Sequence, residues 1–381
     1  MFDDFCPHLA SNGLSQKTHN LSHSWYRTDP LMLELIFHRR MPKYPCLALD
    51  PQSADASTSH TTPTSTPSAI FTAPDYNSSS KQGLNLFDFL ARDDPISWYR
   101  HMGQDHFLVL ARPTMDFSQP LGNDPPLWGT SLLELPHFFN VIALTSGKSG
   151  NLFLNSSKSP KLHWLHHKRG VVDKHHKRGA VDGNGIENNP NIKRSIRNEC
   201  ENNTKANNAT SNNNLGRFGS GGVGYTKLCN IVDCFHGICE HDSIRFMRPM
   251  LQASFCLQPL GDTPTRRSTF DSIVADYIPS TKAQYGRHLP EDQYGEFSVF
   301  IAKEGMVFKE TRVLDVLRSI PRARVRRIRE KALEKIPRVM YRRHGSSVGL
   351  RAKKDAFDLA IDSVLNKIKS RVPVQPRVFP Q

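Results

Sequence analysis

Apolar residues are spread unevenly along the chain, and their spacing changes character several times. From Asp29 to Arg40, positions such as Leu31, Leu35 and Ile36 follow one helical face, with Asp29 placed as N-cap and Pro30 directly behind it. Order of this kind returns at Leu84 to Leu90. Asp105 to Ala111, apolar from Phe107 onward, reads as a buried strand that stops at Arg112-Pro113, and Val141 to Leu144 reads as another strand. Further on, Pro249 to Leu257 leads through a helix into a short strand, Ser254 to Leu257. A loop from Gln258 to Arg267 follows, then a helix over Ser268 to Ala275. Phe297 to Ile301 is another strand candidate. Two helices close the pattern: Val313 to Met340, interrupted by Pro321 and Pro337, and Lys353 to Ile368, whose Phe357, Ile361, Val364, Leu365 and Ile368 form one stripe. Strands alternating with helices place the chain in the α/β class.

Two segments break the pattern. From Ser53 to Ser68 the chain is rich in Ser, Thr and Pro and cannot hold a core. Between residues 145 and 225, His166-His167-Lys168-Arg169-Gly170-Val171-Val172-Asp173-Lys174 is nearly repeated from His175 to Gly183, and an Asn-rich tract and the glycines of 219–224 follow. That composition predicts a poorly packed connector. Adjacent His pairs lack chelating helical spacing, so the basic repeat reads as a solvated linker rather than a metal tract. The resulting division is an N-terminal half, 1–144, with 52–73 of low complexity; a connector, 145–225; a C-terminal half, 226–371; and a tail, 372–381.

Composition adds direction. The net charge of +14 over 381 residues implies attraction to an anion: nucleic acid, acidic glycan, membrane surface or nucleotide phosphate. No run approaches the roughly 20 apolar residues of a membrane span, and Met1-Phe2-Asp3-Asp4 does not open a signal peptide. Sequons at Asn20, Asn77, Asn155, Asn202 and Asn208 point instead toward a secretory route. The seven cysteines include Cys229, Cys234 and Cys239 at a spacing of five, and Cys6 and Cys46 in Pro-containing loops. Without tight C-x-x-C pairs, these five read as disulfide candidates in an oxidising compartment, with buried thiols as the alternative; no metal site is expected.

The strand–loop–helix from Ser254 to Ala275 carries the chemistry. In an open parallel sheet, ligands sit beyond the carboxyl ends of the strands. Here that position holds Gly261, two turn-stiffening prolines and a helix start rich in Ser and Thr. Exposed N–H groups and the helix dipole suit phosphate, and Arg266 and Arg267 supply guanidinium forks for a diphosphate. Ser268 with Asp271 also fits a capping box, so helix initiation is the competing role. The arginines of Arg322 to Arg329 could track a nucleic-acid backbone. With Val325 and Ile328 at i and i+3 and no interleaved aromatics, they read as a solvated helix face, and no nucleic-acid partner is expected.

The blocks Cys239 to Pro259 and Gly261-Asp262-Thr263-Pro264-Thr265-Arg266-Arg267-Ser268-Thr269-Phe270-Asp271-Ser272-Ile273 resemble the plant exostosin-type glycosyltransferases, specifically the xyloglucan galactosyltransferase group of glycosyltransferase family 47. The match continues through Gln284-Tyr285-Gly286, Pro337 to Tyr341 and Asp355-Ala356-Phe357-Asp358. It is patchier at Cys6-Pro7, Trp25-Tyr26, Phe37-His38, Arg40-Met41, Asp105 to Arg112 and Trp128-Gly129, and covers about two thirds of the chain in all.

The resemblance implies a GT-B-like fold, two Rossmann-like domains facing a cleft. It also implies inverting transfer of a sugar, galactose foremost, from a UDP-sugar to a cell-wall polysaccharide such as xyloglucan. The donor would be held by Gly261, Asp262, Thr265, Arg266, Arg267, Ser268 and Thr269, with Asp271 on the ribose hydroxyls. No cofactor or metal is implied, since arginines and a helix N-terminus stabilise the leaving diphosphate. Asp116, just past the first buried strand, is the candidate general base. The same likeness implies a lumenal Golgi membrane location and association with other Golgi glycosyltransferases.

Four departures from the family qualify it. No anchor or stem is read at the start, the Ser/Thr/Pro run at Ser57 to Ser68 stands where an apolar strand pair is expected, the His-Lys-Arg duplication stands where a strand and glycine turn are expected ahead of Pro190-Asn191-Ile192, and Ala275 to Pro279 passes straight into Ser280 where a Gly-Cys-Ile-Pro strand is expected. Parts of both sheets therefore look missing. The alternative is a degenerate, non-catalytic member with a basic polyanion-binding surface.

Overall fold

The computed structural model describes residues 33–58, 76–111, 114–119, 121, 129–145, 161–163, 194–202, 229, 231–232, 250, 253–257, 270, 272–273, 278–279, 288–302, 305, 311–341 and 353–372. Its centre is a four-stranded, wholly parallel sheet in the order β1 (Ser57–Thr58), β2 (His106–Leu110), β3 (Ile142–Thr145), β4 (Lys161–His163). β2 and β3 are buried at every position, as a parallel strand covered on both faces must be. Their side chains alternate between two cores. Phe107, Val109, Ile142 and Leu144 enter one, and Leu108, Leu110 and Ala143 enter the other.

Helix α1 (Leu33–Arg40) covers the first face through Leu33 and Phe37. The second face is covered by α2 (Tyr76–Asp93) and α3 (Pro95–Arg100), which contribute Leu86, Leu90 and Trp98, and by the turns around Leu132 to Phe138. Asp94 caps α3 by accepting from the Ser97 N–H at 3.2 Å.

The last helix, α8 (Ala356–Lys369), joins the first core rather than the C-terminal one. Phe357, Ala360, Ile361, Val364 and Ile368 recur at three- and four-residue intervals and all enter the cluster around β2 and β3. Asp355 and Asp358 form a reciprocal capping box at its start, and Lys367 and Lys369 sit at the negative end of its dipole. Arg40 lies 5.1 Å above the Phe357 ring and 3.7 Å from the Asp355 carboxylate, tying α1 to the start of α8. The division at 226 therefore separates stretches of chain but not cores, because the closing helix of 226–371 packs on the sheet of 1–144.

The Ser/Thr/Pro segment, expected to form no core, nevertheless supplies β1. The strand is held by backbone and by one arginine rather than by apolar burial. Ser57 N–H donates to Asp105 O at 2.8 Å. The Arg100 guanidinium bridges the Asp105 carboxylate (2.6 and 3.1 Å) to the carbonyls of Pro51, Gln52 and Ala54.

Residues 145–225, expected as a poorly packed connector, likewise contain structure: β4, and a helix α4 over residues 194–202. Two side chains tie α4 down. Cys200 forms a disulfide with Cys229, and both Glu199 carboxylate oxygens accept from the Val313 and Leu314 N–H groups at 3.0 and 2.8 Å. Those N–H groups open α6 (Val313–Arg318), whose own N-cap residue, Arg312, makes no side-chain cap.

In the C-terminal part, β5 (Phe255–Cys256) pairs in parallel with β6 (Ile278–Pro279). The stretch read as lacking a strand after the donor helix thus contributes a two-residue one. Phe270, Ile273, Leu289, Tyr294, Phe297, Ala332 and Val339 make the core here. The strand expected at Phe297 to Ile301 is instead the end of a short helix, α5 (Tyr294–Phe297), followed by residues 298–302 without regular structure. The aromatic pair Tyr294 and Phe297, three apart with centroids at 5.1 Å, is buried best on a helical turn, and Ser298 closes that turn by donating to Tyr294 O at 2.6 Å. The arginine-rich segment forms α7 (Arg322–Leu333), with Ile328 and Ala332 buried and Arg322, Arg324, Arg326 and Arg327 exposed.

Candidate functional site

Two carboxyl-end edges of parallel strands are present among the described residues, and Asp116 lies at the first. The first is the edge of the four-stranded sheet. As β2 ends, the Ala111 N–H donates to the Glu34 carboxylate at 3.0 Å, a buried glutamate reaching from α1. The Thr114 and Thr145 hydroxyls meet at 2.8 Å and link the ends of β2 and β3. Between them the chain makes a 3-10 turn, Thr114–Phe117, which holds Asp116 with 7% of its surface exposed. The position expected for Asp116, just beyond the strand, is the one observed.

The turn is fixed by a return segment. Thr130 N–H donates to Asp116 O at 2.7 Å, and Gln119 N–H donates to Thr130 O at 3.0 Å. Gly129 makes this approach feasible: its φ is +114°, and a Cβ there would stand 2.8 Å from Asp116 O. Around the turn lie Ser118, Gln119, Thr130 and Ser131, all buried. Sequence reasoning named only Asp116 of this group. The polar run Thr130-Ser131 beside a glycine was the available signal, but its pairing with residues 116–119 depends on tertiary contact.

The opposite end of the same sheet holds the other strongly coupled charges. Asp105 is buried among Arg100 and His106. Burial pushes its carboxyl up, but hydrogen bonds from the His106 ring and the Arg100 guanidinium outweigh it and leave the group below its ordinary value. This end is structural, because among the described residues every partner of Arg100 is a backbone carbonyl or Asp105 itself.

The second edge belongs to β5. Phe270 and Ile273 are helical and fully buried in the C-terminal core, and β6 returns parallel to β5. A helical stretch between two parallel strands is the chain order of a βαβ unit, in which the connection after the first strand is the general place for a ligand. The donor residues expected in that connection, Gly261, Asp262, Thr265, Arg266, Arg267, Ser268 and Thr269, lie outside the described residues, as does Asp271.

The cysteine expectations divide. Cys229 is disulfide-bonded, with Cα atoms 5.5 Å apart, to Cys200, which the sequence pattern did not single out because it lies in the supposed connector. Cys46 is corrected: it is an exposed thiol beside Tyr44, in no disulfide. The chain turns outward after Met41, leaving Cys46 on the surface. Cys6, Cys234 and Cys239 lie outside the described residues, as do Asn20, Asn155 and Asn208. Asn77 falls in the first turn of α2, and Asn202 is exposed at the end of α4. Among the described residues, no cluster of three His, Cys, Asp or Glu side chains could hold a metal, and no helix is long and apolar enough to cross a membrane.

Comparison with known proteins gives a consistent result. Residues 4–317 match the Exostosin GT47 domain family. The probable xyloglucan galactosyltransferase GT19 of Arabidopsis thaliana is 50% identical over 97% of this chain and 85% of its own length. Xyloglucan galactosyltransferase XLT2 of the same plant is 29% identical over 96% of this chain and 70% of its length. Xyloglucan galactosyltransferase MUR3, again from Arabidopsis thaliana, is 28% identical over 97% of this chain and 58% of its length. No solved structure matches.

Proposed function

The chain belongs to the exostosin GT47 family of glycosyltransferases, and from that premise we propose that it transfers galactose from a UDP-sugar to xyloglucan with inversion at the anomeric carbon. The observation that carries this reading is the 50% identity, across nearly the whole chain, to a relative named as a probable xyloglucan galactosyltransferase. The parallel β5–β6 pair and the carboxyl edge of the larger sheet support it, since ligands of open parallel sheets sit at such edges.

In the reaction, the acceptor hydroxyl loses its proton to the Asp116 carboxylate as its oxygen attacks C1 of the donor sugar. The bond from C1 to the diphosphate oxygen breaks on the opposite face, and UDP departs with the electron pair. Arg266, Arg267 and the amide groups at the helix start neutralise the charge growing on the diphosphate, which lowers the barrier without needing a resident metal. Asp271 holds the ribose hydroxyls. The Cys200–Cys229 disulfide and the sequons at Asn77 and Asn202 agree with a lumenal Golgi location, where disulfides persist.

The test is ligand-dependent melting. A nucleotide that binds only the folded chain stabilises it by about 2.7 kcal/mol at a hundredfold excess over Kd, so UDP raises Tm in the wild type and not in Arg266→Glu. A folded wild-type protein whose Tm does not respond to UDP contradicts this assignment.

A further inference from the structure

Two side-chain oxygens at the first edge have no hydrogen-bond partner among the described residues, although both are closed off from solvent: Oε1 of Gln119 and Oγ1 of Thr130. Their residues are 4% and 1% exposed, and they are joined by the 3.0 Å backbone bond from Gln119 N–H to Thr130 O. An orphaned buried polar atom destabilises a fold by about 1 to 3 kcal/mol. Two in one backbone-paired unit, at the carboxyl end of a parallel sheet and held against Asp116 through the Thr130–Asp116 bond, mark groups with no partner among the described residues and capacity for a ligand. The surface is near, since Leu121, two residues past Gln119, is 41% exposed.

The chemistry of the pair restricts what can satisfy it. Gln119 Oε1 only accepts, and Thr130 Oγ1 both donates and accepts. A metal cation would want charged or several oxygen ligands, and a phosphate would want donors. A sugar hydroxyl matches both groups, because it donates to the amide oxygen and accepts from the threonine hydroxyl. We propose that Gln119 and Thr130 bind a hydroxyl of the acceptor glycan, holding the acceptor sugar beside Asp116. This rests on the acceptor role given to that edge under the proposed function.

Thr130→Val and Gln119→Met keep shape and remove the polar atoms. Titration of the full chain with a xyloglucan oligosaccharide should show Kd raised roughly fivefold to tenfold in each variant, the value of one ordinary hydrogen bond. The UDP-induced Tm shift should be unchanged. Tm of the ligand-free protein should stay level or rise in Thr130→Val, because an unsatisfied hydroxyl has gone. Thr130→Ser, which retains the hydroxyl, should bind as the wild type does. Unchanged oligosaccharide affinity in both apolar variants, or no binding by the wild type, overturns the proposal, as would be expected if the oxygens hold only a buried water. A clear drop of ligand-free Tm in Thr130→Val also overturns it, because the hydroxyl would then have a structural partner. Oligosaccharide binding that follows this pattern without sugar transfer would count against the enzymatic reading alone.

Discussion

Phe37 and Phe357 pack ring against ring, with centroids 4.6 Å apart, although one lies near each end of the chain. Both are fully buried, and the contact closes the first core by bringing the last helix onto the sheet that bears Asp116. Removing the Phe357 side chain leaves a cavity against Phe37, Tyr44 and Arg40. Phe357→Ala should cost about 3 to 5 kcal/mol, measured by chemical denaturation. A loss below about 1 kcal/mol would show that the last helix is not part of this core.

The Cys200–Cys229 bond encloses a sequence separation of 29 and fixes the helix from which Glu199 caps α6. Loop-closure entropy for that length is worth about 3 to 4 kcal/mol. Reduction, or Cys229→Ser, should therefore lower stability and speed amide exchange at Val313 and Leu314. Glu199→Ala should speed the same two amides with the disulfide intact. Exchange at these positions that ignores both changes would disprove the linkage.

Asp105 gives the protein an acid-sensitive clamp. Its folded-state carboxyl titrates below the ordinary 3.8 because the contacts with His106 and Arg100 outweigh burial. The stabilisation is complete above the unfolded value and is lost as pH falls through the lower, folded one. Asp105→Asn should lower Tm at neutral pH and flatten the fall of stability below pH of about 4. A variant whose acid limb matches that of the wild type would contradict this assignment.

Gly129 should tolerate no side chain. Gly129→Ala places a Cβ 2.8 Å from Asp116 O in a backbone conformation with φ of +114°. A penalty above about 1 kcal/mol is expected, with transfer falling further than stability because Asp116 is pushed out of place. Equal activity in wild type and variant would separate the turn from catalysis.

How legible this was in the sequence depended on what each element relies on. α8 could be read directly, since its Asp355 cap and apolar stripe are local and survive any packing partner. β2 and β3 were equally plain as short apolar runs. What α8 packs against was not visible, because a stripe specifies a buried face and not its neighbour. β1 was hidden for a different reason: Ser57 and Thr58 have no apolar pattern, and the strand is held by Asp105 and Arg100 from elsewhere. Cys200 and Glu199 were obscured by the polar composition around them. At the first edge the place of Asp116 after a strand is visible in the sequence, whereas Gln119 and Thr130 become informative only once burial shows that they lack partners among the described residues.

The central claim is that this chain moves a sugar. The most direct measurement is incubation of the purified full chain with UDP-galactose and a xyloglucan oligosaccharide, followed by mass spectrometry of the oligosaccharide. One added hexosyl unit, formed with release of UDP and abolished by Asp116→Asn and Arg266→Glu, is the predicted result. A folded, disulfide-bonded protein that leaves both substrates unchanged would contradict the account.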